Sequence, residues 1–189
     1  MFILDSIGFG SAFALLIPLS YTPDVAFEIS GAWFAAPSVI IMFYFLNIFG
    51  QFISSSNRKK EEDSKLDVIK WGILERLGFV LIYLTLNYFL DSSLILVFFL
   101  ITYGIFVYSS GAILPAYFDL VSRVLYKHRA IFFAANLTTG SLAGFLVSRY
   151  VDFRIQEKGL VEGFSDGLLV VIAITSLSLI PLILIKEPK

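Results

Sequence analysis

Uncharged apolar runs of about 20 residues recur along this chain, and no other feature limits its possible folds as strongly. Residues 31–53, for example, contain no charged side chain and would form roughly 35 Å of helix, enough to cross a bilayer core of about 30 Å. Hydrophobic residues make up 58% of the sequence and charged residues 15%, against roughly 45–50% and 25% in soluble proteins. These observations exclude a soluble domain and predict an all-α membrane protein.

The runs predict a single module over residues 1–189 with six transmembrane helices. We expect these helices at residues 2–20, 31–53, 71–90, 94–118, 130–150 and 168–185. The first run has no basic region before it and no cleavage pattern after it, so we expect a retained helix rather than a signal peptide. Within each triplet of helices a shorter link precedes a longer one (21–30 and 54–70, then 119–129 and 151–167), as expected of two inverted three-helix repeats.

The third run is less uniform, because Glu75 and Arg76 follow Trp71 before the uncharged segment 77–90. A charge at the bilayer centre costs about 2.5–3.5 kcal/mol on insertion scales, whereas a charge near a helix end can reach the interface. We therefore expect a helix from about Trp71 with the charged pair at the water boundary.

The distribution of Lys and Arg predicts the orientation of the module. Residues 50–76 alone hold six of the fourteen basic residues. Counted over alternate sides of the predicted helices, eleven Lys and Arg residues fall on one side and three on the other. Because basic residues concentrate in cytoplasmic loops, we expect a multi-pass protein of the cell membrane with both termini in the cytoplasm.

Several function classes lack the residues they need. The chain has no cysteine, and its single histidine, His128, lies in a basic segment without a carboxylate cluster. There is no phosphate-binding glycine loop and no serine with a histidine in the membrane to activate it. We therefore expect no enzyme, no metal, no cofactor and no nucleic-acid partner; the expected partners are the lipid bilayer, a small solute and a second six-helix half.

The segment Gly50-Gln51-Phe52-Ile53-Ser54-Ser55-Ser56-Asn57-Arg58-Lys59 resembles a signature of the major facilitator superfamily (MFS). This signature, G-x-L-A-D-R-x-G-R-R/K, lies between helices two and three of those transporters. The matching positions are Gly50, the apolar pair 52–53, Arg58 and Lys59. Ser54 and Ser55 replace the Asp-Arg of the motif. In the family, the acidic residue of the motif helps to hold the two halves together on the cytoplasmic side, so this contact is in doubt here.

A longer resemblance extends from Leu74-Glu75-Arg76-Leu77 through Gly111-x-x-x-Pro115-Ala116-Tyr117-x-Asp119-Leu120 and Arg123 to Lys127-His128-Arg129. It is similar to segments of a prokaryotic branch of the superfamily. The resemblance implies the N-terminal six-helix half of such a transporter, in which helices one, two, four and five line the solute path while three and six face lipid.

Two groups of candidate residues follow from the resemblance. The first comprises polar residues on the expected lining helices: Ser11, Tyr44, Asn47, Tyr103, Tyr108, Ser110, Asn136 and Thr139. The second is a cytoplasmic gating and motif group: Gly50, Arg58, Lys59, Glu75, Arg76, Asp119, Arg123 and Arg129. The alternative is that the first group only packs helices together and the second only ends helices at the interface.

Two functions remain open at this point. The first is one half of an MFS-type transporter that moves an unidentified small solute by alternating access once it is paired with a second half. The second is a structural or regulatory six-helix membrane protein that does not transport. Two observations favour the second function. The Asp-Arg of the motif is replaced, and no charged residue is expected near the membrane centre of a predicted helix.

Overall fold

The computed structural model describes residues 35–56, 64–88 and 95–184, and these ranges are helical throughout apart from short turns. The described residues form five helices: α1 (Ala35–Ser56), α2 (Ser64–Tyr88), α3 (Ile95–Val124), α4 (Arg129–Lys158) and α5 (Leu160–Leu184). They overlap the second to sixth apolar runs in order, so the all-helical prediction is confirmed for this part of the chain. The first run, with Ser11, and the loop residues Arg58 and Lys59 lie outside the described residues.

Helices α2 to α5 are longer than the apolar runs that predicted them. Helix α2 begins at Ser64 instead of about Trp71, and α3 continues to Val124 instead of ending at residue 118. The expected link at 119–129 is reduced to a turn at 125–128, closed by a hydrogen bond from the His128 N–H to the Leu125 carbonyl. Hydropathy marks where apolar residues end, whereas a helix continues as long as its backbone bonds are satisfied.

The expected link at 151–167 is wrong, because these residues are helical except for Gly159. Gly159 has φ 93°, a conformation that glycine adopts readily, and its N–H bonds to the Ile155 carbonyl where α4 ends. A Cβ on Gly163 would lie 2.7 Å from the Ile155 backbone nitrogen, so α4 and α5 touch closely just past this corner. The short-then-long link pattern is therefore absent from the second triplet of helices.

Neighbouring helices run antiparallel. Helix α2 contacts α3 at Ser64 and Asp119 and, further along, at Phe79 and Phe106. Helix α2 is also antiparallel to α5. Lys65 Nζ donates to the Ile183 carbonyl, and at the opposite end of α2 Asn87 Nδ2 donates to Ser165 Oγ. The bundle therefore has a Ser64 end (Ser64, Asp119, Ile183 and the turn at 125–128) and a Gly159 end (Tyr88, Gly159 and Ser165).

Two apolar clusters fill the bundle, one near each end. The larger, toward the Gly159 end, joins α2, α3, α4 and α5 through residues that include Phe79, Phe99, Phe106 and Leu168. The smaller, toward the Ser64 end, joins α2 and α3 through residues that include Val68 and Leu120. The level between the two clusters contains the buried charged residues Glu75 and Arg76.

The outer surface of the described helices is strongly apolar. Exposed side chains include Phe45 at 68%, Leu137 at 73% and Ile180 at 57% of their full accessible area. Three helical segments, Val97–Val124, Arg129–Lys158 and Leu160–Ile180, are long and apolar enough to cross a membrane. Exposed apolar surface on this scale is unusual for a soluble monomer, and it is what a lipid-facing helix presents.

Candidate functional site

A buried arginine joins α2 to α5. Arg76 is 6% exposed, and its Nε donates to the Thr175 carbonyl at 2.8 Å while Nη2 donates to Ser178 Oγ at 2.7 Å. Its Nη1 donates to the Gly72 carbonyl at 2.8 Å and to Glu75 Oε2 at 3.3 Å. Four hydrogen bonds therefore hold a guanidinium group whose five N–H donors point in fixed directions.

Glu75, the partner of this arginine, is also buried, at 5% exposure. The pair lies at the middle of α2, roughly 16 Å along the helix from Ser64 at 1.5 Å per residue. The prediction that Glu75 and Arg76 lie near the start of their helix and reach water is therefore wrong. It failed because α2 begins seven residues earlier than expected, and because α5 supplies polar partners that an isolated helix lacks.

The local sequence makes room for the guanidinium group. Gly72 is one helical turn before Arg76, and a Cβ at this glycine would lie 2.9 Å from Arg76 Nη1. On α5, Thr175 and Ser178 are three residues apart and so share the face toward α2. Ser178 Oγ accepts from Arg76 and also donates to the Thr175 carbonyl at 2.8 Å, which orients both acceptors.

The same level of α3 carries two buried serines. Antiparallel packing places Ser109 and Ser110 opposite Glu75, and both are fully buried. Ser109 Oγ donates to backbone carbonyls of its own helix, at 2.6 Å to Ile105 and 2.9 Å to Phe106. Ser110 Oγ has no hydrogen-bond partner within the described ranges. We call this level, formed by Glu75, Arg76, Ser109, Ser110, Thr175 and Ser178, the polar layer.

The remaining members of the predicted gating group lie elsewhere. Asp119 bonds to the Ser64 hydroxyl and pairs with Arg123 Nη2 at 2.8 Å, at the Ser64 end of the bundle. Arg129 is exposed and lies over the Tyr126 ring, 5.8 Å from its centroid. The structure therefore divides the predicted group into a buried pair in the polar layer and a separate, partly exposed group of charges at the Ser64 end.

Gly50 has a packing role at the contact between α1 and α3. A Cβ on Gly50 would lie 2.4 Å from the Tyr108 carbonyl oxygen, and one on Gly111 would lie 2.1 Å from the Asn47 carbonyl oxygen. Two glycines thus let these helices approach backbone to backbone, as small residues do between membrane helices. Close packing alone accounts for a glycine at position 50.

The predicted solute-path residues do not share one environment. Tyr103 is buried in the larger apolar cluster beside Phe99 and Phe106. Tyr44 is 63% exposed. Tyr108, which is half-buried, contacts Trp71 with ring centroids 5.8 Å apart.

Three polar side chains of this group, those of Asn47, Thr139 and Asn136, form hydrogen bonds within the bundle. Asn47 Oδ1 accepts from Gln51 Nε2 at 2.8 Å, one turn along α1. Thr139 bonds to the Ala135 carbonyl of its own helix. Asn136 Nδ2 donates to Tyr117 Oη at 3.2 Å and so connects α4 to α3. Of the group's members within the described residues, only Ser110 lies in the polar layer.

Sequence reasoning missed Thr175 and Ser178, because run six was expected to face lipid. The available signal was their spacing, since two hydroxyl residues three apart in an apolar helix share one face. Nothing local to α5 indicates that a buried arginine meets that face. No protein-family model, no curated protein and no solved structure matches this chain.

Proposed function

We propose that this chain is a multi-pass membrane protein and that it forms one six-helix half of a transporter of the major facilitator type. In this proposal both termini are cytoplasmic, the Ser64 end faces the cytoplasm, and a second half completes the solute path. The solute is small and unidentified, and transport proceeds by alternating access. The sequence resemblance and the apolar outer surface of the helices support this assignment.

The observation that carries the proposal is the buried Glu75–Arg76 pair in the polar layer. Charged residues inside a membrane bundle are costly, and they commonly mark solute or proton pathways. Replacing a buried ion pair by apolar side chains is often neutral or stabilising, so a purely structural bundle has little reason to keep one. Arg76 of this pair also bonds to α5, and such a contact between helices is suited to a bundle whose helices exchange partners as it opens and closes.

The second candidate is a structural or regulatory membrane protein that does not transport. It is favoured by the local bonding of Asn47 and Thr139 and by the burial of Tyr103 among aromatic rings. These side chains are engaged within the bundle instead of converging on one path. The buried charged pair is the observation that makes us prefer the first candidate.

The test compares the small molecules that bacterial cells take up or release when they make this protein. Mass spectrometry of the culture medium covers many solutes at once, so the solute does not have to be known beforehand. We expect at least one solute to change with the wild-type chain and to return to the empty-vector level with Arg76→Met. Lys70→Met is the matched control, because Lys70 is an exposed cation on the same helix.

The comparison requires equal amounts of each variant in the membrane fraction, measured by immunoblot. If no solute changes with the wild-type chain, transport by this chain alone or by two copies of it is refuted, and the non-transporting function is favoured. If Lys70→Met abolishes the change as fully as Arg76→Met, the buried pair is not the group responsible for it.

A further inference from the structure

The turn between α3 and α4 presents four consecutive exposed residues, Tyr126, Lys127, His128 and Arg129. Its backbone is held by bonds from the Leu125 N–H to the Val121 carbonyl and from the His128 N–H to the Leu125 carbonyl, both 2.9 Å. The exposed side chains therefore project from a well-defined turn.

The charge of this turn is positive. No ion pair joins Lys127 or Arg129 to a carboxylate within residues 35–56, 64–88 and 95–184. The nearest acidic residue along the chain, Asp119, is already paired with Arg123. The Arg129 guanidinium lies over the Tyr126 ring, and this cation–π contact restricts its position without neutralising its charge.

The position of the turn identifies the partner. It connects Val97–Val124 to Arg129–Lys158, two helical segments that are long and apolar enough to cross a membrane. Next to it, apolar side chains are exposed on both helices: Phe118 is 48% exposed and Ile131 is 73% exposed. Cations directly beyond an exposed apolar surface match a molecule with a phosphate headgroup and acyl chains.

We propose that Lys127 and Arg129 bind the headgroup phosphate of an anionic phospholipid, whose chains lie along the exposed apolar surface of α3 and α4 next to the turn. This inference rests on the membrane placement proposed above but not on transport. The lipid acts as a ligand of the turn and anchors it at the membrane surface.

The experiment incorporates the full-length chain into lipid nanodiscs of equal parts phosphatidylcholine and phosphatidylglycerol. Native mass spectrometry of the released protein then counts the retained lipids of each kind. We expect Arg129→Gln to lower the preference for phosphatidylglycerol by about fivefold, the factor that corresponds to one basic residue near an anionic surface. Arg129→Lys keeps the charge and is expected to retain the preference.

Arg149→Gln is the matched control. Arg149 is an exposed cation on the same helix, and its guanidinium lies over the Phe145 ring, 5.4 Å from the centroid, toward the Gly159 end. We expect this variant to behave as the wild type. Equal loss of preference in Arg129→Gln and Arg149→Gln, or no loss in either, overturns the proposed lipid site.

The experiment gives a different result if the protein does not insert into the membrane at all. A chain that does not enter the bilayer separates from the nanodiscs on gel filtration and retains neither lipid, whatever the variant. Circular dichroism checks that each variant keeps its helices, which is expected because both arginines are exposed.

Discussion

Replacing Arg76 by methionine should destabilise the bundle severely. The substitution keeps a long apolar stem but removes four hydrogen bonds, to Thr175, Gly72, Glu75 and Ser178. It also leaves the Glu75 carboxylate at 5% exposure without the guanidinium group. Breaking a buried ion pair by removing one partner costs about 3–5 kcal/mol. At about 2–4 °C per kcal/mol for a chain of this size, the unfolding temperature should fall by roughly 6–20 °C.

The assay is thermal unfolding of the purified full-length chain in detergent, followed by circular dichroism. Glu75→Gln is measured beside Arg76→Met, together with the double variant, to complete a mutant cycle. The double variant carries no buried charge at this site, so we expect it to recover at least half of the loss caused by Arg76→Met. Lys70→Met removes an exposed cation from the same helix and should leave the unfolding temperature nearly unchanged.

Two results would refute this reasoning. One is an Arg76→Met variant that unfolds at the wild-type temperature, which would mean that the pair contributes no stability. The other is a double variant whose loss equals the sum of the two single losses. Additive losses would show that Glu75 and Arg76 are not energetically coupled.

Two further predictions concern close helix contacts. Gly111→Ala should lower the unfolding temperature and weaken the α1–α3 contact, because its Cβ would lie 2.1 Å from the Asn47 carbonyl oxygen. Gly104→Ala should be tolerated, because its Cβ would meet only a Leu46 methyl group at 3.5 Å. Equal unfolding temperatures for the two variants would contradict the close α1–α3 packing at Gly111. Asp166→Asn weakens a partly exposed ion pair with Arg154, so it should lower the unfolding temperature less than Arg76→Met does. The loss should appear mainly at low salt, because salt screens exposed charges. A loss that does not depend on salt would argue against an electrostatic role.

The order and type of the helices could be predicted from local sequence. Each described helix overlaps one apolar run because a stretch of about 20 apolar residues is itself the signal of a long buried or lipid-facing helix. The helix ends could not be predicted in this way. Helix α4 continues to Lys158 through residues that pair with each other, such as Arg154 with Glu157, and a charged surface of this kind carries no hydropathy signal.

The polar layer could not be predicted, because its contacts join distant parts of the chain. Arg76 meets Thr175 and Ser178 across 99 and 102 residues of sequence. A charge at the start of an apolar run fits an interfacial residue and a buried ion pair equally well until the partner helix is known. The resemblance identified Glu75 and Arg76 as residues of interest, and the structure shows their burial and their partners on α5.

The measurement that tests the account most directly is the labelling of single cysteines in intact cells. The chain has no cysteine of its own, so Tyr126→Cys and Glu162→Cys each introduce a unique thiol on an exposed residue. We predict that a membrane-impermeant maleimide labels Glu162→Cys in intact cells but labels Tyr126→Cys only after the cells are lysed. Equal labelling of both variants in intact cells, or release of the protein from membranes by alkaline carbonate, would contradict a membrane-spanning bundle with its Ser64 end in the cytoplasm.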